Sequence, residues 1–222
     1  MAADFTSLLI TDFDGTVTRQ DFYALVVPKF LEPNLPDYWS MYARGELSHF
    51  EAMRAIFGHI RAREETVRKL LPEMQPDPDL ADSVARLRQA GWEVEIVSAG
   101  CRWYIDQILQ EAQVDVAVHA SLGSFHPERG LVMTLDTASP FCSTETGIDK
   151  AAVVRAGLRR YRRVAFAGDG RPDYAAASLV EPRYRFARGW LAQELKRKRQ
   201  AHVRFSRWSE IAGMLTAPEE EP

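Results

Sequence analysis

The chain is poor in the features that mark several large classes of protein. It has two cysteines in 222 residues, Cys101 and Cys142, too few for a disulfide framework, so free thiols in a reducing compartment are expected. No apolar run approaches the ~20 residues that a membrane-spanning helix needs. The N-terminal stretch MAADFTSLLITDFDG has no basic segment ahead of its apolar residues, and acidic residues interrupt them, so it does not read as a secretory signal. Neither sign of charge prevails. Lys and Arg number 28 against 31 Asp and Glu, which gives no reason to expect nucleic acid or a membrane surface as partner. The basic run KRKRQ at 196–200 reads as a solvated helix face. The histidines show no metal-ligand spacing; His49, His59, His126 and His202 read as structural or surface residues. No internal repeat is found. A cytoplasmic protein, monomer or homodimer, is expected.

What is present is an alternation of short apolar runs with amphipathic segments. Residues 7–13 (SLLITDF) read as a buried parallel strand. Further strands are expected at 92–98, 114–121, 163–167 and 184–187. Helical patterns occupy 102–112, 150–160, 174–179 and 191–198, and the helix before 92 should end at Gly91. Strands alternating with helices mean βαβ units and a mostly parallel sheet with right-handed crossovers. Residues 123–136 look like a hairpin with its turn at HPERG, and APEEEP at the end like a solvated tail. Residues 21–76 break the rhythm. They hold four helical patterns with no strand between them, one opened by a Ser48/Glu51 capping box, and PEMQPDPD leads the chain back. The expected architecture is a Rossmann-like three-layer α/β core, residues 1–20 and 77–222, carrying an inserted helical cap at 21–76.

Open α/β sheets bind ligands at the carboxyl ends of their strands, and the sharpest signals fall there. Asp12 and Asp14 end the first strand and, two residues apart, face one side; Gly15 turns the chain after them. Ser98, Ala99 and Gly100 end the second strand. Asp169 and Asp173 follow the fourth, in GDGRPD, and Lys150 opens the helix before it. The helix dipole disfavours a cation at that position, which suits a catalytic lysine better than a structural one. Converging carboxylates repel; a lysine and Mg²⁺, which prefers oxygen ligands, relieve this. A carboxylate can then attack phosphorus. A second carboxyl can protonate the leaving alkoxide and later activate water. The hydroxyl and backbone N–H groups after the second strand can hold phosphoryl oxygens. Arg102 just beyond them, Arg44 in the cap and Arg171 are candidate substrate contacts; Asp21 and Phe22 could reach the pocket from the cap hinge. Tyr38, Trp39 and Tyr42 recur at helical spacing and read first as cap core.

TDFDGTVT, VSAG, a lysine opening a helix and GDGRPD, in this order, resemble the four motifs of the haloacid dehalogenase superfamily. A cap between the first two motifs is similar to its phosphoserine-phosphatase-like branch. The resemblance implies that Asp12 is the nucleophile and a metal ligand. It implies that Asp14 is the general acid/base and lends its backbone carbonyl to the metal, that Ser98 binds phosphate, that Lys150 neutralises it, and that Asp169 and Asp173 serve Mg²⁺. The cap segment ARGELSHFEAM and the late FARGWLAQEL resemble more closely the methionine-salvage phosphatases of that superfamily. This chain departs from them in keeping one cysteine, Cys142, of a cysteine-rich patch, and in having Gly170 where a serine is usual. The implied activity is Mg²⁺-dependent hydrolysis of a small phosphorylated metabolite. Phosphoserine and other small phosphates also fit; a phosphomutase or a non-catalytic binding protein is the alternative.

Overall fold

The structure, a computed structural model, describes residues 5–217, so all of the expected tail but Ala217 lies outside the described residues. β1 (Ser7–Thr11) is buried along its whole length, which is why its middle residues, Leu8, Leu9 and Ile10, are apolar in succession rather than alternating. It sits at the centre of a sheet with β2 (Trp92–Cys101) on one side and β7 (Arg163–Gly168) on the other, both parallel to it. Alternation sends Leu8 and Ile10 to one face, where they pack with Val153, Val154, Phe166 and Leu191. Leu9 goes to the other, with Trp92, Ile96 and Tyr104.

Four helices fill the segment between residues 21 and 76: α1 (Phe22–Phe30), α2 (Tyr38–Ala43), α3 (His49–Gly58) and α4 (Glu64–Arg68). Both bonds of the capping box at Ser48 and Glu51 are present. The chain enters this helical segment through residues 14–21 and returns through 75–79, and a bridge between Thr18 and Pro76 ties the two crossings. Phe22, Phe50, Phe57 and Met74 of the segment share one apolar cluster with the Leu9 face of the sheet.

The return leads into α5 (Leu80–Gln89), which ends at Gly91 with φ +80°, then β2 and α6 (Arg102–Glu111). β3 (Ala117–His126) and β4 (Gly130–Thr134) follow. Here the structure corrects the expectation of a strand at 114–121 followed by a separate hairpin. One strand does both jobs: its first half pairs parallel with β2, its second antiparallel with β4. The strand runs straight on because Gly123 lets it pass Cys101; a Cβ at Gly123 would lie 2.2 Å from Cys101 Sγ. The hairpin turn packs under α3. Gly130, at φ +63°, lies where a Cβ would come 2.6 Å from the Phe57 carbonyl oxygen.

A two-stranded ribbon, β5 (Cys142–Ser143) and β6 (Gly147–Ile148), precedes α7 (Lys150–Arg160) and β7. Then come α8 (Tyr174–Ala177), β8 (Arg185–Ala187), α9 (Gly189–Arg197), β9 (Val203–Arg204) and α10 (Trp208–Thr216). Among the described residues the main sheet has seven strands, ordered β4-β3-β2-β1-β7-β8-β9, and is parallel except at β4. The ribbon, β9 and α10 were not expected. α10 buries Trp208, Ile211 and Ala212, and the Trp208 indole N–H donates to Thr11 Oγ1 at 3.0 Å, just below the carboxyl end of β1.

Candidate active site

The carboxyl ends of β1, β2 and β7 meet in a cleft of about 300 Å³. Asp12 continues the ladder, its N–H donating to the Ala167 carbonyl at 2.8 Å, and its carboxylate is buried. Asp12 Oδ1 accepts from Phe13 N–H at 2.7 Å and lies 2.8 Å from Lys150 Nζ. Lys150 is the first residue of α7, whose Asp149 N-cap accepts from Ala152 N–H at 2.9 Å and so fixes where the lysine leaves the helix. The same ammonium donates to Asp173 Oδ1 at 2.7 Å. The other Asp173 oxygen accepts the N–H groups of Asp169 at 3.0 Å and Gly170 at 2.8 Å. Thr16 Oγ1 donates to Asp169 Oδ1 at 3.0 Å. Gly15 is doubly constrained: φ is +66°, and a Cβ there would come 2.5 Å from Asp169 Oδ2.

Asp14 shares the cleft but turns away from this cluster. Its carboxylate accepts from Tyr104 OH at 2.6 Å, from Phe22 N–H at 3.0 Å and from Ser98 Oγ at 3.4 Å. Ser98 Oγ accepts the Gly100 N–H at 3.0 Å, so that N–H orients the hydroxyl. Tyr104 reaches Asp14 only because Gly100 has no side chain: a Cβ at Gly100 would sit 1.8 Å from the phenol oxygen.

Oxygens of Asp12, Asp169 and Asp173 lie within 4.8 Å of one another. Three carboxylates and one ammonium leave negative charge in excess. Burial, then the charge of Asp173, raises Asp12 well above the usual carboxylate range, and Lys150 offsets only part of this. Asp169 is pushed up to about 7 by burial, then by Asp173 and Asp21. Lys150 is raised: burial opposes its charge, but Asp12 and Asp173 together outweigh it. Asp14 is pushed up to about 6, by burial first and Asp21 second, with Tyr104 and Phe22 pulling it back. An all-oxygen, over-negative cluster fits a hard divalent cation, whose charge would remove the repulsion.

The other predicted contacts lie elsewhere. Arg102 pairs with Asp106 at 3.1 Å, is substantially exposed and does not line the cleft. Arg44 pairs with Glu46, and Arg171 lies over the Trp190 ring at 5.2 Å. Ala99, Asp21, Tyr23, Trp39, His49 and Met53 do line it. Tyr104, Tyr23, His49 and Met53 are absent from the sequence-derived set. Tyr104 has a sequence signal, an aromatic one turn into the helix that follows a Gly; the other three depend on how the inserted helices fold back. A second cavity of about 310 Å³ lies beyond the loop after β1. There Arg188 is engaged by the Gly15, Thr18 and Ser206 carbonyls and Arg207 by Asp77 and Asp79, and none of the motif carboxylates lines it.

Residues 9–178 match the family model of haloacid dehalogenase-like hydrolases, and the chain belongs to that family. A Brevibacillus brevis protein named 2-hydroxy-3-keto-5-methylthiopentenyl-1-phosphate phosphatase is 24% identical over 219 residues, covering 96% of this chain and 97% of that one. Among solved structures, a haloacid dehalogenase family hydrolase from Salmonella enterica serovar Typhi superposes with TM-score 0.72 at 14% identity, over 99% of this chain and 74% of that one. A phosphoserine phosphatase from T. onnurineus gives TM-score 0.63 at 15% identity, over 97% of each chain. These structural likenesses establish a shared fold.

Proposed function

We propose that the protein is a Mg²⁺-dependent phosphomonoesterase that works through an aspartyl-phosphate on Asp12. The observation that carries this reading is the division of labour between two buried carboxylates. Asp12 is held by Lys150 beside Asp169 and Asp173, while Asp14, two residues on, is held by Tyr104 and kept near neutral pKa. Asp12, Asp169 and Asp173, with the backbone carbonyl of Asp14, would hold Mg²⁺, which when bound supplies charge neutralisation for the incoming phosphate.

Phe13 N–H and Lys150 occupy Asp12 Oδ1, so attack on phosphorus falls to Oδ2. Ser98 Oγ and the Ala99 N–H hold phosphoryl oxygens as they gain charge. The P–O bond to the leaving group breaks, and the departing alkoxide takes the proton of Asp14, a fraction of which is protonated near neutrality at a pKa of about 6. The Asp14 carboxylate then takes a proton from water, which attacks the phosphoryl group and frees Asp12. Helices α1–α4 act as a lid that excludes bulk water during transfer.

The substrate in this reading is a small phosphorylated metabolite, 2-hydroxy-3-keto-5-methylthiopentenyl-1-phosphate in the first place. Likeness to the Brevibacillus brevis phosphatase along nearly all of the chain supports it. Both cysteines are free, in keeping with a cytoplasmic enzyme. The test is phosphate release from a panel of small phosphomonoesters with and without Mg²⁺, alongside Asp12→Asn. The expected result is metal-dependent turnover that the variant lowers by a factor on the order of 10³ or more. Full activity in Asp12→Asn would rule out the covalent route.

A further inference from the structure

One side of the cleft is built by the inserted helices and the turn that leads into them. It consists of Asp21, Tyr23, Trp39, His49 and Met53. This half receives the leaving group, and its charge pattern is informative. Asp21 is its only acidic residue, and the half contains no lysine or arginine. The three arginines that could have served it are placed elsewhere, on Glu46, Asp106 and Trp190. Lys150 is buried and already shared between Asp12 and Asp173. A carboxylate on the leaving group would therefore be desolvated beside Asp14 and Asp21 with no counter-charge, an arrangement that costs binding heavily.

Among the residues of this half, His49 is the one with a buried polar atom that has no partner among the described residues. Trp39 and Tyr42 hold its ring, with centroids at 5.3 and 5.7 Å, and the capping box of α3 fixes its backbone. Its Nδ1 is closed off from solvent and has no hydrogen-bond partner among the described residues. A bare lone pair is the cheaper group to leave unpaired than an N–H, so Nδ1 is the unprotonated nitrogen and Nε2 carries the hydrogen. Resting on the phosphatase reading above, we propose that His49 is a specificity-determining residue: its Nε2–H donates a hydrogen bond to a hydroxyl or carbonyl oxygen on an uncharged leaving group. The imidazole stays neutral at working pH, pushed down to about 4 by burial and then by the charge of Lys150.

The test is a comparison of kcat/KM for four phosphomonoesters of similar size with the Mg²⁺-loaded enzyme: dihydroxyacetone phosphate, n-propyl phosphate, 3-phosphoglycerate and phosphoethanolamine. p-Nitrophenyl phosphate is run as a generic reporter of phosphatase chemistry. Dihydroxyacetone phosphate should exceed n-propyl phosphate about 10-fold, the worth of one hydrogen bond. It should exceed 3-phosphoglycerate about 100-fold or more. His49→Leu should bring the first two values together. His49→Gln, whose amide reaches the place of Nε2, should restore the preference, and His49→Asn, which mimics Nδ1, should not. A preference for the carboxylate or the ammonium compound overturns the proposal. So does a His49→Leu loss equal on oxygen-bearing and alkyl substrates, or rescue by Asn as good as by Gln. Absence of p-nitrophenyl phosphate hydrolysis in the unmutated enzyme overturns the phosphatase reading itself, whereas hydrolysis without selectivity overturns only the role of His49.

Discussion

Replacing Tyr104 with Phe removes one oxygen from the buried wall of the cleft and leaves the ring, stacked on Phe22 at 4.5 Å, in place. The hydroxyl donates to Asp14 Oδ2 at 2.6 Å and lowers a pKa that burial and Asp21 push up to about 6. A hydrogen bond to a charged group contributes about 1.5–3 kcal/mol. At 1.36 kcal/mol per pH unit, the lower end corresponds to a rise of about one unit in the Asp14 pKa. In the proposed mechanism the ionised Asp14 activates water, so its pKa sets the acid limb of the pH–kcat profile when hydrolysis of the aspartyl-phosphate limits turnover. Tyr104→Phe should move that limb up by about one unit, with a modest change in stability. Single-turnover and steady-state rates between about pH 5 and 9 would show it. An acid limb that stays in place, or shifts downward, would refute the assignment of Asp14 as the titrating base.

Gly100→Ala should give the same upward shift with a larger loss of activity, because its Cβ would displace the phenol; the two pH profiles, overlaid, check this. Gly15→Ala should cost about 1–2 kcal/mol from its left-handed backbone alone. It should also abolish activity through the clash with Asp169, readable by thermal melts and phosphate release. Gly170→Ser should be tolerated, with stability within about 0.5 kcal/mol, because a Cβ there meets nothing closer than Pro172 Cδ at 3.4 Å. Metal removal makes a signed prediction. Folded Asp169 titrates at about 7 and an unfolded aspartate near ~3.9, so between these values the native state binds the extra proton. Metal-free protein should therefore gain stability as pH falls through that window. Melting curves should show the slope reduced by Mg²⁺ and by Asp169→Asn.

The catalytic end of the sheet was legible because every signal there is local. A strand buried on both faces must be apolar, a turn at positive φ needs Gly15, and carboxylates at strand ends declare themselves. The three arginines were not legible in the same way. Each pairs or stacks with a near neighbour in the chain or on an adjacent helix, Arg102 with Asp106 one turn along, and sequence position next to a motif does not say which way a long side chain turns. The aromatic wall depends on how α2 and α3 fold back over the cleft, a long-range matter, so Trp39 and Tyr42 carried the same helical spacing yet only Trp39 lines the site. The strand and the hairpin read as separate elements in the sequence, and the structure joins them into one strand that passes through Gly123. The role of Gly123 is close passage beside Cys101.

That continuous strand has a consequence for how substrate preference could change. The parallel half of β3 belongs to the sheet that carries the carboxylates, while its antiparallel half and β4 prop up α3, the helix that bears His49 and Met53. The height of that prop is written in the hairpin, at residues remote in the chain from any catalytic group. Trimming or extending the hairpin by a matched pair of residues keeps the strand's inside–outside alternation and tilts the ceiling of the cleft over an unaltered floor. In the phosphatase reading proposed above, loop length there becomes a dial for selectivity, open to evolution and to engineering without touching an aspartate.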